Sequence, residues 1–223
     1  MREAYNEELK KVKEDVLLMS SQAEMMLTNA VDALIQQDAE KAKEVIRNDD
    51  NVDTKEIEVQ QFVSEVIARQ QPVATDLRRL SSTYKVINNL ERIADLAVNI
   101  CQRIENLSGE AYFKPLEHIR EQADKVKEQL KMCIQAYVDE DISHMKAIVN
   151  YEEEIDQLET KVYNECVQAI SKHPELSEQG VNLSFVSRDL ERVGDHATNI
   201  FETVYYIVTA HFIDFNDLDE ANM

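Results

Sequence analysis

Asn88-Asn89-Leu90-Glu91-Arg92-Ile93-Ala94-Asp95-Leu96-Ala97-Val98-Asn99-Ile100 returns one hundred residues later as Arg188-Asp189-Leu190-Glu191-Arg192-Val193-Gly194-Asp195-His196-Ala197-Thr198-Asn199-Ile200. Seven of the thirteen positions are identical: Leu, Glu, Arg, Asp, Ala, Asn and Ile. Within the first copy Leu90, Ile93, Ala97 and Ile100 continue Val86 and lead to Ile104 in steps of three and four, the seam of a helix in a bundle. The second copy sits in the same pattern, from Leu183 and Val186 through Leu190, Val193, Ala197 and Ile200 to Val204 and Ile207. A repeated long helix of this kind has to bury its seam against other helices, so the rest of the chain is searched for them.

They are found twice. Leu9, Val12, Val16, Met19, Ala23, Met26, Ala30 and Ala33 give a first helix from about residue 4 to about 36. Asp38 stands at the N-cap position of a second helix carrying Val45, Val52, Val59, Val63 and Val66, which Pro72 ends. Thr75 is placed to cap the third. After the polar break at Gly109, Pro115 suits the first turn of a fourth helix with Ile119, Ala123, Val126, Leu130, Cys133 and Tyr137. Asp141 stands to the fifth as Asp38 does to the second, and that helix bears Ile148, Ile155, Val162, Cys166 and Ala169 before His173 and Pro174. Helices of about 30 residues, about 45 Å long, are natural only as members of a bundle. The expected fold is all-α: two three-helix bundles related by internal duplication, one from residues 1–108, one from 109–213, followed by an acidic tail at 214–223.

Only three glycines (Gly109, Gly180, Gly194) and three prolines (Pro72, Pro115, Pro174) interrupt the 223 residues. That scarcity of breakers agrees with long helices and few joints. The 44 acidic residues against 24 basic ones leave a net charge of −20. Such a chain repels nucleic acid and anionic membrane surfaces and attracts cations and basic partners. Cys101, Cys133 and Cys166 are odd in number, lack C-x-x-C spacing and lie on apolar stretches, as buried thiols of a reducing cytoplasm do. No stretch approaches the ~18 apolar residues of a membrane span, and Met1 to Asp15 carries no apolar leader core. The expected location is cytoplasmic.

The acidic residues are not scattered evenly. Four pairs at i, i+4 spacing, Asp49/Asp53, Glu91/Asp95, Glu152/Asp156 and Glu191/Asp195, are arranged symmetrically about Pro72 and about the His173-Pro174 bond. Residues at this spacing share one helix face. If each proline marks the turn of an antiparallel hairpin, four carboxylates converge at one height in each hairpin. Some pairs arise by chance on solvated faces in so acidic a chain, but Asp49 and Glu152 stand at seam edges where an apolar residue belongs. Charge there is costly unless paired or bound to metal. Glu56 and Glu159 extend the stripe on one helix, Asn99 and Asn199 on the other. An oxygen-only set suits hard multivalent cations, magnesium, manganese or iron, better than zinc held by thiolates, without selecting one.

Other chemistry is sparse. His196 has Leu96 as its counterpart, so no histidine is a required ligand of both sites. His118, His144, His173 and His211 are isolated, and no pair of Glu-x-x-His motifs of the di-iron kind is present. No Ser-His-Asp or Cys-His arrangement or glycine-rich phosphate loop appears. Arg92 and Arg192 follow the repeated glutamates, with Arg78, Arg79 and Arg188 on the same helices, and neutralising the acidic stripe is their simplest role.

Read as strings, Gln71-Pro72-Val73-Ala74-Thr75-Asp76-Leu77-Arg78, Asn89 to Asp95 and Asp189 to Ile200 resemble the PhoU family of bacterial phosphate-uptake regulators, and the likeness runs from about Tyr5 to about Ala210. The resemblance implies two three-helix bundles about a quasi-twofold axis. It also implies metal clusters held by E(D)-x-x-x-D motifs, which fall on Asp49, Asp53, Glu91, Asp95, Glu152, Asp156, Glu191 and Asp195, with iron, manganese, magnesium or zinc as the ion. It further implies a negative regulator of phosphate uptake, an oligomer and often a dimer, that links the ATPase of the Pst phosphate transporter to a PhoR-type sensor kinase. A carboxylate-bridged metal enzyme, oxidase or hydrolase, and a purely structural scaffold are the alternatives from the residues alone. The first repeat departs from the second at Ala94 and Leu96, where the second has Gly194 and His196, so the resemblance does not imply that the two sites bind metal equally well.

Overall fold

The computed structural model describes residues 2–107, 109 and 111–215, and most of the acidic tail lies outside them. Six α-helices follow in order: α1 Arg2–Gln36, α2 Ala39–Gln70, α3 Ala74–Leu107, α4 Glu117–Asp139, α5 Met145–Lys172 and α6 Ser177–Thr209, with a short 3₁₀ turn, Pro174–Leu176, before the last. Among the described residues there is no strand. Nor is any helix there long and apolar enough to cross a membrane.

The seams read from the sequence are the core. Val12 to Ala33 of α1, Val45 to Val66 of α2 and Val86 to Ile104 of α3 are buried at the named positions, as are Ile119 to Tyr137 of α4 and Leu183 to Ile207 of α6. Leu9 and Ala169 are half-buried at the ends of their stripes. Each three-helix bundle leans its third helix against the other's: α3 and α6 pack together where the bundles meet and are the two most buried helices. They run antiparallel, because Arg78 Nε donates to the Ile207 carbonyl (3.3 Å), His196 Nδ1 meets Asn89 Oδ1 (2.9 Å) and Arg103 Nε reaches Asp189 Oδ2 (3.2 Å). A second tie joins the bundles where Glu140 accepts from Arg79 Nε and Nη2 (2.8 and 2.6 Å) and from Lys13 Nζ (3.2 Å).

The hairpin turns follow local chemistry. Asp38 caps α2, its carboxylate accepting from the Glu40 and Lys41 amides. At the other end Gln71 and Ala74 take left-handed backbone on either side of Pro72 and Val73, reversing the chain within four residues. Three local expectations are corrected. Pro115 lies outside α4, which starts at Glu117 with Leu116 at its N-cap. Asp141 does not cap α5; its carboxylate accepts from the Ser143 amide (2.9 Å) and hydroxyl (2.8 Å), a turn satisfied within itself, and α5 starts only at Met145. Thr75 sits inside the first turn of α3, where its hydroxyl accepts from Arg78 Nη2 (3.2 Å). Cys101, Cys133 and Cys166 are free and buried.

Candidate metal centre

Because α2 and α3 meet in an antiparallel hairpin at Pro72, residues equally distant from the turn come level, and the electrostatics of the first site carry that signature. Burial is the main force raising the Asp49 carboxyl to about 6, and the charges of Asp53 on its own helix and Asp95 on α3 add to it. Glu91 is raised to about 7, again chiefly by burial, then by Asp95, Glu56 and Asp53, with the Arg92 guanidinium opposing. Each carboxylate therefore feels those of the facing helix, as the symmetry about Pro72 requires. The second hairpin repeats the arrangement. Burial, then Asp195, Asp156 and Glu202, lift Glu152 to about 7. Burial, then Asp195, Asp156 and Glu159, lift Glu191 to about 7 against the pull of Arg188. Asp156 and Asp195, which reach solvent at the rim, are raised as well, burial leading in both and Asp156 adding to Asp195.

Three of these oxygens are buried with no hydrogen-bond donor: Asp49 Oδ1, Glu91 Oε2 and Glu191 Oε2. A buried carboxylate oxygen without a donor costs free energy that a cation would offset. Arg92 approaches Glu91 Oε2 to 3.4 Å but without hydrogen-bond geometry, and spends its good bond on Asp95 Oδ2 (2.9 Å). The donor set, all oxygen with orphaned buried atoms in both hairpins, fits a hard multivalent cation. As the side chains lie, no three His, Cys, Asp or Glu groups among the described residues are close enough to clasp an ion. Like charges on facing helices repel, which favours side chains turned apart when no cation lies between them.

The two sites are not copies. An offset of 103 relates α1 to α4 and α2 to α5, and an offset of 100 relates α3 to α6. Where the first bundle has Met26, Ala94 and Val98, the second has Gln129, Gly194 and Thr198. Gln129 is fully buried and its Nε2 donates to Thr198 Oγ1 (3.0 Å), whose hydroxyl points at Glu152 Oε2 from 3.5 Å. Gly194 leaves room for this amide: a Cβ there would come within 3.2 Å of Gln129 Oε1. A polar file thus leads from the core to the second site only. Sequence reading missed it, although a buried-register glutamine between Val126 and Leu130 signalled it, and it missed Glu202, whose charge reaches Glu152 from a turn beyond Asn199.

The remaining candidates fall elsewhere. Arg78 and Arg79 serve the joint between bundles. His196 lies half-buried on the α3/α6 face, bound to Asn89, its pKa lowered by burial and by Arg192 and Arg92. It joins helices rather than the carboxylates.

Comparison with known proteins agrees with this architecture. The family model described as PhoU domain matches twice, over residues 16–104 and 119–204. A Clostridium acetobutylicum protein named phosphate-specific transport system accessory protein PhoU homolog is 32% identical over 217 residues, 97% of this chain and 99% of that relative. A relative of the same name from Borreliella burgdorferi is 35% identical across 82% of this chain and 84% of its own. The crystal structure of PhoU from Pseudomonas aeruginosa superposes with a TM-score of 0.86 at 30% identity, covering 93% of this chain and 100% of that one. That of the phosphate transport system regulatory protein PhoU from Streptococcus pneumoniae gives 0.88 at 21% identity, covering 94% and 99%, a likeness of fold. With both halves matched and relatives aligned end to end, the chain belongs to the PhoU family.

Proposed function

We propose that this protein is a non-enzymatic negative regulator of phosphate uptake, a cytoplasmic adaptor that joins the ATPase of a Pst-type phosphate transporter to a PhoR-type sensor kinase and restrains starvation signalling when phosphate is ample. The observation that carries the reading is the end-to-end match to relatives named as accessory proteins of the phosphate-specific transport system, across both repeats. A pair of long helical bundles, in a sequence without a Ser-His-Asp or Cys-His arrangement or a glycine-rich phosphate loop, suits an adaptor that acts by binding. Membership of the family makes a homodimer the expected assembly, and twofold dimers are the commonest closed oligomers.

Metal has a defined place in this reading. Asp49, Asp53, Glu91 and Asp95 would hold a hard cation in the first hairpin, and Glu152, Asp156, Glu191 and Asp195 in the second, with Glu56, Glu159 and Glu202 as further oxygen donors. When bound, the ion supplies positive charge that neutralises each stripe. The chain's own contribution is orientation: the hairpin geometry levels the carboxylates, and Thr198 directs a hydroxyl toward Glu152.

The test is a clean deletion in the source organism with a starvation-gene reporter. Expression in high phosphate that returns to repression with the wild-type gene supports the assignment, and normal repression in the deletion, with no second family member present, refutes it. Co-purification of the transporter ATPase and the kinase with the tagged chain checks the partners.

A further inference from the structure

The outer faces of the two hairpins are equivalent by the duplication but differently built. In the first, Tyr84 of α3 reaches across to Ser64 of α2 (O to O 2.7 Å), half-buried and packed on the core, so its ring lies over the furrow between the helices. The equivalent residues of the second hairpin are Ser184 and Val167, and the furrow stands open. It is a groove of about 510 Å³ between α5 and α6, walled by Tyr163, Val167, Ile170, Val181 and Phe185.

The same offsets show what changed. Gln60, Ser64, Ser81 and Lys85 of the first hairpin become Tyr163, Val167, Val181 and Phe185 in the second. All four are large apolar side chains left half in water, at 52, 45, 46 and 47% exposure. A contiguous apolar wall of this kind marks an interaction surface, and the first bundle demonstrates that the fold does not need it.

Shape and charge together specify the occupant. From Tyr163 to Ile170, and from Val181 to Arg188, the groove runs about 10 Å, two helical turns between antiparallel walls. A helix presenting apolar residues at i, i+3 or i+4, and i+7 seats in such a furrow. One end of the groove carries both Glu159 and Arg188, and beyond it lies the acidic stripe of Asp156, Glu191 and Asp195, whose carboxylates with Glu159 outnumber Arg188 and Arg192 and leave this end net negative. A second copy of the chain, with 44 acidic residues against 24 basic ones, is a poorer match for this net-negative end than a basic partner, so a homodimer would form through another face. We infer that the α5–α6 groove receives an amphipathic helix of a partner protein, apolar on the face it inserts and bearing Lys or Arg where that face meets the Glu159 end. Seated there, it completes a four-helix arrangement with α4, α5 and α6.

The decisive substitution is Ser184→Tyr, which restores the first bundle's own furrow-filling side chain without changing charge. The probe is a fluorescein-labelled helical peptide of about five turns with Leu on one face and Lys and Arg elsewhere, beside a second peptide with the same Leu positions and Glu in place of the basic residues. Anisotropy titrations use the full chain in chelator, so that metal binding plays no part. The basic peptide is expected to bind wild type, to lose at least tenfold in affinity with Ser184→Tyr, and to bind Tyr84→Ser as it binds wild type. Phe185→Lys, again the first bundle's residue, provides an independent loss should Ser184→Tyr fold poorly by melting. Equal binding to wild type and both groove variants would reduce the attraction to general charge and overturn the inference, as would preference for the acidic peptide. A change in the protein's own oligomeric mass on Ser184→Tyr, with no peptide binding to wild type, would assign the groove to a second copy and overturn it equally.

Discussion

Replacing Glu91 by glutamine removes a charge and keeps the side chain's shape, and the site geometry predicts that this stabilises the protein when metal is withheld. In the fold the Glu91 carboxyl is raised from 4.5 to about 7 by burial and by Asp95, Glu56 and Asp53. Holding it ionised at pH 7.5 thus costs up to about 3 kcal/mol, at about 1.4 kcal/mol for each tenfold step in its proton affinity. Screening at a side chain that keeps 16% exposure, and the weak 3.4 Å pairing with Arg92 that is lost, bring the expected gain to about 1–2 kcal/mol. For a chain of this length that is a rise in Tm of about 2–8 °C.

The pH dependence follows from the sign of the shift. Between the unfolded value near 4.5 and the folded value near 7 the native state binds more protons than the unfolded chain, so stability falls as pH rises across that window and levels off above it. Asp49, Glu152 and Glu191 act in the same direction. Wild type in chelator should therefore melt higher at pH 5.5 than at pH 7.5, and the advantage of Glu91→Gln should shrink at the lower pH. Saturating Mn²⁺ reverses the order, since a ligand at 100 times its Kd adds about 2.7 kcal/mol to the form that binds it and the variant has lost a ligand. Differential scanning fluorimetry at the two pH values, with EDTA or Mn²⁺, makes the comparison. A Glu91→Gln protein that melts below wild type in EDTA at pH 7.5 would refute the reasoning, because the carboxylate would then be a satisfied structural group.

Three further outcomes are expected. Asp49→Ala with Asp53→Ala should abolish metal uptake by the first hairpin and leave the second loaded, so elemental analysis should find the bound metal reduced and not lost; unchanged content would make the pairs solvated faces. Gln129→Met with Thr198→Val, which gives the second bundle the first bundle's lining, should leave the fold intact by circular dichroism and shift the Mn²⁺ affinity of the second hairpin alone, read by titration calorimetry in the Asp49→Ala/Asp53→Ala background. Ile93→Ala, in the fully buried seam of α3, should cost about 2–5 kcal/mol, visible as a lower urea midpoint at an unchanged m-value.

How far the sequence is legible depends on whether a feature is set by periodicity or by side-chain rotation. The seams repeat every three and four residues over long helices, so a missed position cannot shift the pattern, and the residues named from spacing are buried except Leu9 and Ala169 at the stripe ends. Hairpin symmetry about Pro72 likewise requires only that both helices be straight and the turn short, which is why Asp49 and Asp95 could be paired from numbering. Helix starts depend on single hydrogen bonds instead. Asp38 and Asp141 occupy the same register, yet Asp38 bonds forward to amides of its helix and Asp141 bonds to Ser143, a choice decided by the neighbour. The file from Gln129 through Thr198 to Glu152 was hidden for another reason: glutamine in a seam position reads as an imperfection until the residue it faces is known.

The duplication separates what the fold demands from what was added to it. Leu90 and Leu190, Ala97 and Ala197, and Ile100 and Ile200 are identical and fully buried, as positions in close-packed seams that tolerate little change of volume. Carboxylates at Glu91, Asp95, Glu191 and Asp195 are equally unchanged though no packing requires them, and three of the atoms in the two clusters are buried without a donor. Retention without a packing reason is what the proposed metal binding by both hairpins requires. Divergence, by contrast, concentrates on the second bundle: an amide file replaces Met26 and Val98 beneath its carboxylates, and an apolar wall replaces Gln60, Ser64, Ser81 and Lys85 beside them. Glu159 belongs to both features, lining the groove and adding its charge to Glu191. A cation held by the second stripe would make that end of the groove less negative, so it should weaken a basic helix in the groove by the same factor that the helix weakens the cation.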